Sequence, residues 1–524
     1  MKKLRLPEIR NKGNVILYAC ILTGIVLRFL RLGMHPITAA EYSSVNFSQG
    51  LNLLQVILNN AANNNEAPLY YLITYIWTFV FGVSEISVRL LPAISGIACI
   101  FIVNKLTRSF YSEKVSVIAT SLFALSPFQI YYSQQSGENT MLLIAMLLMV
   151  YYFMLSVKYN SFVIGPFTFW AIASLYCGHM SLVLLLILNI ILFIRYKEEI
   201  RINLWIRSQI FILTAWLPLL IYFIKGNMTL PLHPGENIFL APLMSLKNLL
   251  LGYTIDYNFL TIIVIAGASL FLLIGVITCR TVKEKRMTDI MSLVMFLMVI
   301  LMWLGALLKR NIYADSGLLI AGVMLIIILS IGISHLSRDG MVLFAIITLT
   351  FFSISIYSYF AGKKWQAVDY RPLYMEAMRG FKDNGVIIHT EPGSYGPFEF
   401  YNRLVYKRNF SDRFYGNAPG FKGNVGVRDK WRKAKQFLSE KAGLDIYAGY
   451  DKNLLSQEEL KAKAASYSRV FFVVENTVGA EKLYAQDKIP DRPDPEKIKW
   501  IRDYFRVGNK TAVPGCDMYT LERK

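Results

Sequence analysis

Residues 69–81 read LYYLITYIWTFVF, and the side of the membrane on which every later segment lies depends on whether this run crosses it. As a helix it reaches only about 20 Å at ~1.5 Å per residue, whereas a hydrocarbon core is ~30 Å thick. Tyr70, Tyr71, Tyr75 and Trp77 suit a helix lying along the interface, where amphipathic rings sit at headgroup level.

The surrounding chain is that of a polytopic membrane protein. It has 524 residues, of which 55% are hydrophobic and 17% charged, and its mean hydropathy is +0.41. Apolar runs of spanning length recur, and eleven spans are expected near 14–32, 88–104, 115–133, 140–157, 162–177, 180–195, 207–224, 258–279, 288–307, 316–334 and 341–361. The first follows MKKLRLPEIRNKG with no small-residue cleavage site, so it reads as a retained span and not a signal peptide.

Charge decides the status of 69–81. With that run left out and the N-terminus inside, eighteen Lys and Arg fall on cytoplasmic segments, before residue 14 and at 105–114, 158, 195–207, 280–286 and 338. The outer loops hold four, Lys225, Lys247, Lys309 and Arg310, besides Arg28, Arg31 and Arg89 at span ends. Counting 69–81 as a span would put the basic segments outside, against the positive-inside rule. The same rule accounts for the net charge of +20 without nucleic acid as a partner. The five cysteines show neither metal-ligand spacing nor a disulfide framework.

The fold expected is therefore a polytopic α-helical domain, 1–361, whose first outer loop (33–87) is long, followed by a tail, 362–524, that is charged and no longer continuously apolar. In the tail, helix-like YMEAMRGFKDNG, SQEELKAKAASYS and KIKWIRDYF alternate with strand-like VIIHT, RVFFVVEN and DMYTLER. That alternation predicts a small α/β domain outside the membrane, on the outer face.

Long loops in compact proteins usually carry function. The charges of the first outer loop are all acidic: Glu41, Glu66 and Glu85. A carboxylate at the membrane surface can act as general base on an acceptor hydroxyl or amine, and two of them could hold a divalent ion, although no cofactor is firmly implied. The outer-facing cations can hold an anionic donor, Arg by its fork and Lys as a point charge. Snorkelling at helix ends explains any one of them as well. His179, and His233 with Glu236 in LHPGEN (232–237), read as packing and turn residues.

Three stretches, HPITAAEYSSV, APLYYLITYIWTFVFGVSEISVRLLPAISG and LFALSPFQIYYSQQSGENTMLL, resemble the front third of the protein mannosyltransferase/ArnT-like glycosyltransferase family 39, in the GT-C superfamily. The likeness covers residues 14–160; beyond them it is one of layout. It implies transfer of a sugar from a polyprenyl-phosphate carrier to a protein, lipid or glycan acceptor on the outer face of a membrane, a bacterial inner membrane here. The family's loop carboxylate deprotonates the acceptor, which attacks C1 with inversion while basic groups stabilise the leaving phosphate. Arg89, Lys309 and Arg310 are the phosphate-binding candidates.

The family's Asp-Glu pair falls on Ala40 and Glu41, its HPP element on Glu66-Ala67-Pro68, and the acid and arginine that often follow its YSQ on Gln135, Ser136 and Gly137. Three readings stay open: Glu41 or Glu66 serves as base; Ala40 is an introduced substitution in an active enzyme; or the chain keeps the fold without the reaction, as a non-catalytic binder or partner subunit for lipid-linked sugars. A transporter is a further alternative, disfavoured by the lack of Gly/Pro-broken half-repeats and the scarcity of intramembrane charge.

Overall fold

The computed structural model describes residues 12–49, 52–57, 67–159, 163–198, 200–225, 238–278, 281–308, 313–362, 368–380, 385–389, 392–405, 412–415, 454–455, 469–475, 505–513 and 516–523. The chain divides into two compact units, one of Met1–Leu32, Arg89–Leu232 and Glu236–Gly362, the other of Gly33–Val88, His233–Gly235 and Lys363–Lys524. The long first loop thus groups with the tail, whereas the sequence division at 361 grouped it with the spans.

Among the described residues of the first unit six helices are long and apolar enough to cross a membrane: Glu85–Phe110, whose first turn belongs to the second unit, Asn139–Lys158, Phe259–Ile277, Glu284–Leu307, Asp315–Ile333 and Arg338–Ala361. Shorter apolar helices, Asn14–Phe29, Ile164–Cys177 and Met180–Tyr196, and the Ile202–Lys225 helix lie where four further spans are expected. The expected span 115–133 is not one straight helix. It is the pair Glu113–Leu125 and Pro127–Ser133, bent by 54°. Proline lacks the N–H the ladder needs and pushes the residue before it out of the helical region, and Ser126 accordingly sits at φ −58°, ψ 120°.

The interior of this unit is the Leu319–Ile333 helix, all of whose residues are buried, as expected for a helix apolar on every side. Gly275 and Gly332 let it approach the Phe259–Ile277 helix: a Cβ on Gly332 would lie 2.2 Å from Phe271 O, and one on Gly275 2.3 Å from Ile328 O. Small residues at such crossings let backbones meet inside a bilayer. By contrast, only 11% of the apolar window of Arg338–Ala361 is buried, which leaves a face suited to lipid.

The second unit is a mixed six-stranded sheet with helices. Its strands are β1 (Gly385–His389), β2 (Asp412–Tyr415), β3 (Leu454–Leu455), β4 (Arg469–Glu475), β5 (Phe505–Val513) and β6 (Cys516–Arg523), in the order β3-β2-β1-β4-β6-β5. β1 pairs in parallel with β2 and β4, and β6 runs antiparallel to β4 and β5. The described residues of VIIHT and RVFFVVEN, and all of DMYTLER, are strands, as their residues suggest. SQEELKAKAASYS lies outside the described residues, as does KIKWIRDYF except for its last residue, Phe505, which opens β5. Ile37, Tyr42 and Val45 of the first loop, with Val88 of the Glu85–Phe110 helix, share one core with Leu373, Tyr374, Phe398, Phe400 and Met518 of the tail.

Arg371 ties these segments together. Its Nε donates to Asp369 Oδ1 (2.8 Å), Nη1 to Gly33 O (3.2 Å) and Glu85 Oε2 (3.3 Å), and Nη2 to Met34 O (3.0 Å) and Asp369 Oδ2 (2.9 Å). All five guanidinium N–H groups are thereby used. The bonds to Asp369 are the largest cause of a guanidinium pKa raised above its ordinary value, against the opposing effect of burial. The Arg371→Met variant, measured in the full chain, is expected to lose about 2 kcal/mol of stability in this unit, seen as faster hydrogen exchange over 33–47 and 371–380 with the Leu319–Ile333 helix unchanged.

Candidate functional site

Glu41 is the third residue of the Ala39–Phe47 helix, and the sequence Thr38-Ala-Ala-Glu41 folds there as a capping box. Thr38 Oγ1 accepts from Glu41 N (3.2 Å), while Glu41 Oε2 accepts from Thr38 N (3.1 Å) and Thr38 Oγ1 (3.3 Å). The residue is buried, 3% exposed, on the same helix as the core residues Tyr42 and Val45, whereas Ala40 is exposed. A carboxylate in the first turn is also favoured by the helix dipole. Its position is therefore fixed, with Oε2 engaged and Oε1 outside the box. Glutamine can complete the same box. Glu41→Gln is thus expected to leave stability nearly unchanged, and Glu41→Ala to cost about 1 kcal/mol, read by chemical denaturation.

Arg89 is buried, 3% exposed, and its Nη1 donates to Leu32 O at 2.8 Å. Glu66, Lys309 and Arg310 lie outside the described residues, as do His233 and Glu236. Lys247 is buried too, with Nζ directed to Gly252 O (3.4 Å) and Ile255 O (3.1 Å) and 5.4 Å from the centre of the Tyr257 ring. His179 immediately precedes the Met180–Ile191 helix.

Three further groups, with no strong signal in the sequence, carry charge or shape at the ends of the apolar helices. Asp315 accepts from Asn248 Nδ2 (2.6 Å) and from the Ser245 hydroxyl, which in turn accepts from Tyr313 OH (2.9 Å). Its only sequence signal is an acid in the short KRNIYADSG turn. Tyr131, Tyr132 and Tyr253 form an aromatic wall: the Tyr132 and Tyr253 hydroxyls are 2.7 Å apart, and Tyr131 packs on Tyr253 and Tyr359 with centroids 4.8 and 5.6 Å away. Glu138 follows the YSQ element by four residues and is half-buried at the start of the Asn139–Lys158 helix. Desolvation, partly offset by a backbone hydrogen bond, pushes its carboxyl above the ordinary carboxylate range.

In the second unit a cavity of about 350 Å³ is lined by Ser84, Glu85, Arg371, Tyr374, Met375, Tyr401 and Val405. Tyr401 OH donates to Glu85 Oε1, and burial, then that bond, push its phenol above the ordinary range. With both oxygens of Glu85 and every Arg371 donor engaged, this wall is structural. Among the described residues no three His, Cys, Asp or Glu side chains converge as metal ligands.

The Glu138 shift has a sign that can be measured. A carboxyl whose pKa is higher folded than unfolded binds its proton more tightly when folded, so its contribution to stability is present at low pH and falls as pH rises above about 4.3. Glu138→Gln is expected to flatten that part of the fall, compared as thermal midpoint against pH for parent and variant in nanodiscs.

Residues 65–225 match the model of the family described as dolichyl-phosphate-mannose-protein mannosyltransferase. A comparison with curated proteins finds no match. Among solved structures, apo ArnT from Cupriavidus metallidurans aligns over 97% of this chain and 98% of its own, with a TM-score of 0.63 and 10% identity. The same protein bound to undecaprenyl phosphate aligns over 97% and 98%, with a TM-score of 0.60 and 10% identity. At that identity the likeness is one of fold, and it runs over nearly the whole chain. The chain is thus similar to that mannosyltransferase family over residues 65–225, and it has the fold of ArnT.

Proposed function

We propose that the chain is a membrane glycosyltransferase that moves a sugar from a polyprenyl-phosphate-linked donor to a protein, lipid or glycan acceptor on the outer face of a bacterial inner membrane. The observation that carries this reading is the ArnT-like fold over 97% of the chain, matched also by ArnT holding undecaprenyl phosphate, together with the mannosyltransferase segment at 65–225. In this reading the chain crosses the membrane eleven times, with the N-terminus cytoplasmic, the Leu69–Phe81 helix along the outer interface and the 362–524 α/β domain outside.

In the proposed mechanism Glu41 or Glu66 takes the proton of the acceptor hydroxyl or amine, and the acceptor attacks C1 of the sugar from the face opposite the phosphate. The C1–O bond breaks with inversion, and the lipid phosphate departs with the bonding pair. Arg89, Lys309 and Arg310 stabilise its charge, the kind of preorganised electrostatic interaction that dominates such reactions.

The capping role of Glu41, beside an alanine at the first acid position, favours a second reading: a binder of lipid-linked sugars that keeps the fold without the reaction. Sugar transfer from a polyprenyl-phosphate donor in reconstituted membranes separates the two. The parent is expected to turn over, Glu41→Gln to lose ~10²–10⁴-fold in rate with its cap intact, and Ala40→Asp to gain. Equal rates in parent and Glu41→Gln would remove Glu41 and leave Glu66. No transfer by any of the three, with donor still bound, would establish the binder.

A further inference from the structure

The end of the first helix, Lys12–Phe29, and the YSQ element, Tyr132-Ser133-Gln134, hold each other through bonds that run in both directions. The last carbonyls of any helix have no partner within it, and at membrane depth they must find one in the protein. Gln134 supplies it: its Nε2 lies 2.8 Å from Leu27 O, 2.9 Å from Leu30 O and 3.4 Å from Arg28 O. The helix closes just beyond, where Arg31 takes the left-handed conformation at φ 56°.

The return bonds come from Arg28, which is fully buried. Its Nε donates to Ser133 Oγ (3.2 Å), and its Nη1 to Ala124 O (2.8 Å) at the Ser126–Pro127 bend and to Gly24 O (2.9 Å) in its own helix. Ser133 passes the interaction on by donating to Gln129 O at 2.6 Å. Arg28 faces the Phe123 ring 5.9 Å away and pairs with no carboxylate among the described residues. A fork is needed here, because a lysine offers one point charge where three acceptors lie in different directions.

Two glycines make the approach feasible. A Cβ on Gly96 would lie 2.1 Å from Ser133 Oγ, and one on Gly24 2.6 Å from Ala124 O. Nη2 of Arg28 and Oε1 of Gln134 are the atoms of this cluster left without a hydrogen-bond partner, so the cluster is fixed by some of its valences and not by all of them.

We infer that Arg28, Ser133 and Gln134 form a two-way latch between the end of the first helix and the second outer loop, and that they are positioning residues for the sugar transfer proposed above, on which this role rests. The latch sets where the loop starts, and with it the Tyr131–Tyr132 wall on one side and Glu138 on the other. It gives the YSQ element a physical task, and it places a buried cation where a purely apolar contact would have packed at lower desolvation cost.

The test uses the full chain in nanodiscs, with Gln134→Met, which keeps the length but loses both donors, and Arg28→Lys, which keeps the charge but loses the fork. Hydrogen exchange over 128–140 is expected to quicken by about tenfold in both, with the Leu319–Ile333 helix and the thermal midpoint held. In the transfer assay kcat is expected to fall on the order of 10²-fold, as for a small misplacement remote from the chemistry, with donor KM unchanged. Unchanged exchange in both variants overturns the latch. Faster exchange with unchanged kcat, or a rise in KM alone, overturns the positioning role. A parent that transfers no sugar defeats the functional reading instead, and the exchange comparison still decides the latch.

Discussion

The second unit depends on one side chain, Arg371, whose guanidinium joins two backbone carbonyls of the long first loop, a glutamate at its far end and an aspartate of the tail. A planar cation with five donors in fixed directions cannot satisfy that set unless residues 33–34, 85 and 369 come together. The shared core of Ile37, Tyr42 and Val45 with Leu373, Phe398 and Met518 supplies the apolar burial, and Arg371 supplies the direction. The loop that carries Glu41 is therefore half of a folded body, not a free connection.

The first unit obeys a different constraint. Inside a bilayer every backbone polar group must be paired by protein, so each irregularity needs a named partner. The break at Ser126–Pro127 is answered by Arg28 on Ala124 O, and the end of the first helix by Gln134. Where backbones touch, glycine replaces side chains, as at Gly275 and Gly332.

Much of this was legible in the sequence, because membrane spans are read from local runs. The expected spans fall on helices, and 69–81 is a helix of its own, Leu69–Phe81. The run at 115–133 is a helix pair bent at the Ser-Pro it contains. The capping box was also in view, since Thr-x-x-Glu is its signature, yet Glu41 was weighed only as an acid. What could not be read were the long-range partners: Arg371 meets Glu85 across 286 positions and Gln134 meets Leu27 across 107. Periodicity and spacing carry no information over such separations. Glu138 lies outside positions 135–137, on which the family's acid and arginine fall, and nothing local in the sequence marks it.

The capping role of Glu41 and the chemistry proposed for it are compatible: a base must be held in place before it can act. Whether that placement serves transfer is decided most directly by mass spectrometry of lipid-linked sugars and glycosylated products in cells with and without this gene. The account predicts that, in cells lacking the gene, one polyprenyl-phosphate sugar accumulates and one glycosylated product disappears. Identical profiles in the two strains would contradict it.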